Sequence, residues 1–246
     1  MRVRDFRNHE IYASLRVLPP VIIRVDGRSF KSVLHRHGFE KPFDHRFASA
    51  TATAAESLMK ESGLHPMIAY TFSDEINLIF TDQVLPFDGR VEKLVSVVSS
   101  YITGVVARSL EISQIAFDGR AIPLHPSEIA DYLIWRQREA WRNCINGYGY
   151  YTLRSLGISG EDAASRMHRM RAPDIHELCF RNGINLNSVP AWQRRGVLVH
   201  MTEYTKHGYD PVREIEVLAN RRRVVQNWDL PIFASEAGGS LLRRQF

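Results

Sequence analysis

The chain has 246 residues, 44% of them hydrophobic, enough for one large domain, or a domain with a sizeable extension, built around a real core as a soluble globular protein. No apolar run approaches the eighteen or so residues of a membrane span, and the opening Met1-Arg2-Val3-Arg4-Asp5-Phe6 has no apolar signal segment, so a cytoplasmic location without a membrane partner is expected. The net charge of +5 is carried by arginine, with only five lysines among 32 basic residues; the guanidinium fork holds phosphate in two places at once, which points toward a polyanionic partner, although GC-rich coding produces the same bias.

Residues 1–20 place Arg2, Arg4, Arg7 and Arg16 among scattered apolar positions and predict a helix stopped by Pro19-Pro20. Val21 to Val25 predicts a short buried strand, since β-branched side chains suit a pleated surface. It ends at Asp26-Gly27, where glycine lets the backbone turn sharply beside a ligand. The stretch Gly27-Arg28-Ser29-Phe30-Lys31 either aims backbone N–H groups and two cations at a triphosphate or simply links strand to helix. A polar loop follows over 35–44, whose histidines read as solvated, and then an alanine-rich helix over 45–62.

A tight hairpin is predicted over roughly 67–81, with Ser73-Asp74-Glu75 at its tip. The apolar face of Val91 to Leu110 predicts a buried helix, and 115–124 a further strand with Asp118-Gly119 as a turn or bulge. The order strand, helix, strand, strand, helix, strand is the split βαββαβ unit. The expected class is therefore α+β, a ferredoxin-like palm over 1–137 carrying a helical and β-hairpin extension over 138–246. Within that extension, helices are expected to Leu156 and over 161–182, and a strand after Arg194-Arg195-Gly196. Trp135 beside Arg136, Arg138 and Arg142 either stacks RNA bases and phosphates or is a core aromatic among solvated arginines. Cys144 and Cys179 lack metal-ligand spacing and read as reduced and partly buried.

If the hairpin packs beside the first strand, Asp26, Asp74 and Glu75 meet at one edge of a sheet. Oxygen-only clusters suit Mg²⁺, and two ions roughly 3.5–4 Å apart can clamp the attacking and leaving oxygens of a phosphoryl or nucleotidyl transfer. The competing reading is an ordinary strand-end turn and a solvated hairpin tip.

The pieces Arg24-Val25-Asp26-Gly27-Arg28-Ser29-Phe30, Lys41-Pro42-Phe43-Asp44, Phe72-Ser73-Asp74-Glu75, Phe117-Asp118-Gly119-Arg120 and Tyr132-Leu133-Ile134-Trp135-Arg136-Gln137, in that order, resemble the tRNA-histidine guanylyltransferase family, and more closely its Thg1-like branch. The resemblance spans roughly residues 20–201. It implies nucleotide addition to the 5′ end of tRNA in the 3′-to-5′ direction, with ATP, GTP and other NTPs as partners and two Mg²⁺ ions as cofactor. It further implies metal binding by Asp26, Asp74 and Glu75 with the Gly27 carbonyl, and a nucleotide site from Gly27, Arg28, Ser29, Phe30, Lys31, Lys41, Asp44 and Ser73. Arg136 and Asn143 would meet the RNA, and related enzymes assemble as homo-oligomers. Eukaryotic members carry His-Ile-Asn-Asn where this chain has Trp141-Arg142-Asn143-Cys144, and have histidine at the position of Lys31; the first departure favours template-dependent 5′-end repair over dedicated tRNA-His addition. The alternatives are a nucleotide cyclase or diguanylate-type synthase on the same palm, and a non-catalytic RNA-binding protein.

Overall fold

The first strand, β1 (Val21–Gly27), lies inside a sheet covered on both sides, which is why four of its five leading residues have no exposed surface. The computed structural model describes Phe6 and residues 9–210 and 215–246. Its remaining elements are α1 (Phe30–Arg36), α2 (His45–Glu61), β2 (Ile68–Phe72), β3 (Glu75–Phe80), α3 (Val91–Leu110), β4 (Phe117–Pro123), α4 (Ile129–Ser155), α5 (Gly160–Arg169), α6 (Ala172–Arg181), α7 (Ala191–Arg195), β5 (Val197–Asp210), β6 (Ile215–Asn227) and α8 (Glu236–Arg243). The strands form one sheet in the order β4-β1-β3-β2-β5-β6, every neighbouring pair antiparallel. The first four strands of that order are the ferredoxin-like palm expected from the sequence.

Period-two alternation divides the core. Val21, Ile23 and Val25 of β1, with Ile76, Leu78 and Phe80 of β3, pack against α2 and α3. Ile22, Ile68, Tyr70 and Ile79 face the other way and pack against the first half of α4 and against Leu241 and Leu242 of α8. The second half of α4 leaves the sheet and forms a small core of its own, in which Ile145 meets Ile175, Cys179 and Leu186. Both cysteines are free and buried.

The expected division at 137/138 falls inside α4, which is continuous, and β5 extends the palm sheet through Thr71↔Val197 to Ile68↔His200; the two regions share one sheet, while the second half of α4 keeps its own small core. Two expectations change. Asp118-Gly119 is no turn or bulge but lies within β4, in register with Asp26 and Val25. A Cβ at Gly119 would stand 2.5 Å from Ser99 Oγ, so glycine there serves the close approach of α3. The predicted N-terminal helix is not formed over 9–20, where the chain runs in turns and bonds the stretch before α3 through Val17 N–H to Gly89 O (2.9 Å) and an Arg16↔Arg90 bridge; Arg2, Arg4 and Arg7 lie outside the described residues.

The C-terminal segment is tied down by one amide. Gln137 of α4 donates to Pro231 O (3.0 Å) and accepts from Phe233 N–H (2.7 Å), and Phe233 is buried against Tyr70. Gln137→Leu keeps the volume and leaves the buried Phe233 N–H without its acceptor, so urea unfolding should show a loss of about 1–3 kcal/mol. A change below about 0.5 kcal/mol, the usual range for surface substitutions, would show that this amide is not the tie.

Candidate active site

Antiparallel register puts the acids together: Asp26 is the cross-strand partner of Glu75, and Gly27 N–H donates to Asp74 O at 2.9 Å. The β2–β3 connection is a two-residue turn, Ser73-Asp74, closed by the Phe72↔Glu75 pair, with Ser73 at φ 52. A Cβ on Gly27 would lie 2.8 Å from Asp74 Cβ and would overlap the Phe30 ring. Glycine at 27 is thus what allows the hairpin tip to close onto the end of β1.

The three carboxylates do not have equal surroundings. Glu75 is buried and gripped by Arg136, Nε to Oε1 at 2.8 Å and Nη2 to Oε2 at 2.5 Å, while Asn77 Nδ2 donates to Oε1 at 2.8 Å. Tyr132 donates to Asn77 Oδ1 at 2.6 Å and completes the network; burial pushes its hydroxyl up to about 12, so it stays a donor. Asp74 bonds the Ser73 hydroxyl at 3.1 Å and forms no ion pair among the described residues. Burial, and further down the Asp26 charge, raise its pKa. Asp26 is one-third exposed, with Arg24 Nε at 3.7 Å and Arg120 Nη2 at 3.5 Å from Oδ2.

Glu75 and Arg136 are paired with each other. Arg136, expected at the RNA end, is 8% exposed and spends its guanidinium on Glu75. Glu75 Oε1 accepts from Arg136 and Asn77 and Oε2 from Arg136, and among the described residues no three His, Cys, Asp or Glu side chains are gathered for a metal. Asp26 and Asp74 are hard-oxygen donors, mutually repulsive, one of them desolvated without a counter-charge. That donor set fits a hard divalent cation such as Mg²⁺.

Beside Asp74 opens a cavity of ≈ 720 Å³, walled by α1, the start of α2, the hairpin tip and α4, with Lys31, Lys41, Phe43, Ser73, Asn143 and Tyr150 on its lining. Lys31 Nζ lies 4.5 Å from the Tyr150 ring centroid. Lys41 has its pKa lowered by burial first and by the Lys31 charge second. Two ammonium groups in a half-buried pocket suit a polyphosphate.

The other expected nucleotide residues divide. Gly27 and Arg28 do not offer their N–H groups to a ligand, since these bond Asp74 O and Ala116 O at 2.9 Å each; the Arg28 side chain is exposed. Ser29 caps α1 at φ 58. Helix geometry leaves the N–H groups of Phe30 and Lys31 without intrahelical acceptors, while the Phe30 ring is core, between Phe47 and Phe117. Asp44 is on the cavity wall but caps α2: Oδ1 accepts from Arg46 N–H and Oδ2 from Glu40 N–H at 2.8 Å each, and the Arg46 side chain closes on both oxygens. Sequence reasoning missed Asn77 and Tyr132. Their signals were a lone amide two residues after Glu75, on the same strand face, and a tyrosine four before Arg136, on the same helix face.

A family model described as tRNAHis guanylyltransferase matches residues 2–125 of this chain. The probable tRNA(His) guanylyltransferase of Drosophila melanogaster is 31% identical over 196 residues, which cover 74% of this chain and 68% of that protein. The tRNA(His) guanylyltransferase of Neurospora crassa is 31% identical over 211 residues, 80% of this chain and 71% of that one. Among solved structures, a bacterial tRNA(His) guanylyltransferase (Thg1)-like protein in complex with GTP has a TM-score of 0.72 at 25% identity, and one in complex with ATP 0.74 at 24%; each covers 98% of this chain and 96% of the other.

Two measurements test these assignments. Arg136→Ala strands Glu75 as a buried, uncompensated charge, which should cost about 3–5 kcal/mol of stability; a variant as stable as the parent in chemical denaturation would overturn the pairing. The Asp44 carboxyl is held down at about 2, chiefly by the hydrogen bond from the Arg46 side chain. A depressed pKa stabilises the fold above the unfolded value near 4 and loses that contribution as pH falls through about 2. Asp44→Ala should therefore cost about 1–2 kcal/mol at neutral pH, with the difference from the parent closing on acidification; a pH-independent difference would rule out the charged cap.

Proposed function

Because the chain belongs to the tRNAHis guanylyltransferase family, and is thus a nucleotidyltransferase, we propose that it extends the 5′ end of tRNA in the 3′-to-5′ direction, copying the opposite strand of the acceptor stem to repair truncated ends. The observation that carries this reading is the juxtaposition of Asp26 and Asp74 with a nucleotide-sized cavity bearing Lys31 and Lys41. The GTP and ATP complexes of the similar bacterial proteins support nucleotides as its occupants.

In the first step a 5′-phosphate oxygen of the RNA attacks the α-phosphorus of ATP, and pyrophosphate leaves. In the second, the 3′-hydroxyl of an incoming NTP attacks the activated 5′ phosphorus, a P–O bond forms, AMP departs and the hydroxyl proton is released. Lys31 and Lys41 neutralise the triphosphate of the activating nucleotide, Ser73 contributes a hydroxyl at the cavity edge, and the aromatic walls, Phe43 and Tyr150, take the base. Asp26 and Asp74, with the Gly27 carbonyl, would hold Mg²⁺, two ions on this reading, which would lower the pKa of an attacking hydroxyl and neutralise charge on the phosphorus oxygens. Glu75, fixed by Arg136, supports the acidic edge from behind.

Preference for repair over dedicated tRNA-His addition rests on the stretch Trp141 to Cys144. Cys144 is buried, Trp141 packs against His176, and only Asn143 of the four lines the cavity. Family membership weighs against the cyclase and the non-catalytic alternatives. Exposed apolar side chains at Ile11, Tyr12, Leu18, Tyr209 and Leu218 support assembly of several copies. No helix among the described residues is long and apolar enough to cross a membrane, and a tRNA substrate supports a cytoplasmic site of action.

The test supplies Mg²⁺, ATP, labelled NTPs and a 5′-monophosphorylated tRNA lacking its first nucleotide. The expected product is one nucleotide longer and complementary to the opposing base, whichever base is placed there. Asp26→Ala and Asp74→Ala should each reduce incorporation by at least a thousandfold while RNA affinity stays within a few-fold. Extension that ignores the opposing base would refute templating, and full activity of either variant would refute the metal assignment.

A further inference from the structure

Beside Asp26 the sheet carries a second surface that this function leaves unused. Strand alternation sends Arg24 and Asp26 of β1 to the same face as Ile22, and Asp118 and Arg120 of β4 to the same face as Ile122; the pairs Arg24↔Arg120 and Asp26↔Asp118 stand side by side across the two strands. Ile22 and Ile122 are covered by the core around α4, but Asp118 and Arg120 are exposed. The result is an open shelf along β1 and β4, bounded on one side by α4.

Trp135 stands on that boundary. The buried stripe of α4 runs through Ile129, Tyr132, Leu133, Arg136, Gln137 and Ala140, and Trp135 falls outside it, 48% exposed. Its ring is held edge-on to Tyr132 at 5.6 Å, with the Arg136 guanidinium 4.4 Å and that of Arg24 6.0 Å from its centroid. An indole fixed by an aromatic edge and two cations, yet half open to water, is a rigid apolar plate. Next to it, Arg24 Nε is buried without a hydrogen-bond partner among the described residues. Arg120 is shared loosely between Asp26 and Asp118, at 3.5 and 3.3 Å, and is half exposed.

We infer that Trp135 is a stacking platform for the terminal base of the RNA, with Arg120 as a partner for the adjoining phosphate. The claim rests on the proposed 5′-end extension, since it needs an RNA end at Asp26. The shared chemistry, a nucleobase with its phosphate, belongs equally to an incoming NTP. Openness decides for the RNA: a single nucleotide suits the walled cavity beside Asp74, whereas the blunt face of a duplex end needs an exposed plate with nothing above it. Stacking accepts any base, as an enzyme that copies whatever template it meets requires.

The experiment compares the parent with Trp135→Leu, which keeps an apolar contact but no π face, and Trp135→Phe, which restores one. A truncated tRNA with 2-aminopurine at its terminal pair is titrated without nucleotide, and ATP binding is measured without RNA. Loss of one base stack corresponds to roughly five- to hundredfold weaker RNA binding. Trp135→Leu should show that loss together with loss of 2-aminopurine quenching, Trp135→Phe should recover most of both, and ATP affinity should stay within twofold, at a melting temperature equal to the parent's. RNA affinity and quenching unchanged in Trp135→Leu would overturn the assignment, as would a loss confined to nucleotide binding. A parent protein that quenches and binds the RNA in a Trp135-dependent way but does not extend it would refute the proposed function while supporting the platform.

Discussion

The bidentate pairing of Arg136 with Glu75 is the constraint around which this site is arranged. It brings opposite charges together where burial would tolerate neither alone, and Asn77, itself held by Tyr132, adds a third hydrogen bond to the carboxylate. Because Arg136 belongs to α4 and Glu75 opens β3, the pair pins the helix to the start of the strand. The hairpin tip therefore sits at a defined height, and Asp74, one residue earlier, is delivered to the end of β1. One acid is spent as an anchor so that its neighbour can be presented.

The two acids left over gain their properties from sheet geometry. Antiparallel pairing sets Asp26 beside the hairpin, and a missing side chain at Gly27 removes the obstruction that any other residue would create. Asp74 is poorly hydrated and faces a like charge, an arrangement that a divalent cation relieves. The surroundings then divide: Asp74 lines the cavity with its two lysines, while Asp26 lies beside the shelf with its arginines and Trp135. On the proposed function, a nucleotide and an RNA end would meet at one reaction centre by two approaches of different shape, and the cavity and the shelf differ in that way.

Much of this was legible in the residues themselves. Local signals settled the element order: the β-branched run at 21–25, the alanine-rich stretch at 45–62, the wide apolar face at 91–110, the alternation around Ser73-Asp74. Those elements, taken in order, left the ferredoxin-like sheet as the simplest packing, and with it the meeting of Asp26 and the hairpin. Period and propensity act over a few residues, so they can be read in a few residues. Where a local signal was overruled, the cause was a partner far along the chain. Residues 9–20 pair with the stretch before α3 instead of forming a helix, and Asp118-Gly119, a turn by composition, is drawn into β4 because α3 needs the space beside it.

Individual side-chain roles were decided only by the tertiary fold. Laying α4 against β3 joins Arg136 to Glu75, 61 residues away in sequence, and folding α2 against the cavity turns the Asp44 oxygens to its cap. The regions on either side of residue 137 share a sheet because β5 adds itself to β2, a pairing between segments more than a hundred residues apart. The sequence by itself determined which elements form, in what order, and which carboxylates reach the sheet's edge, since these follow from short-range sterics and strand period. Which of those carboxylates stays free, and which cation is used up in holding another, depended on long-range contacts and the desolvation they impose, and no local pattern encodes that.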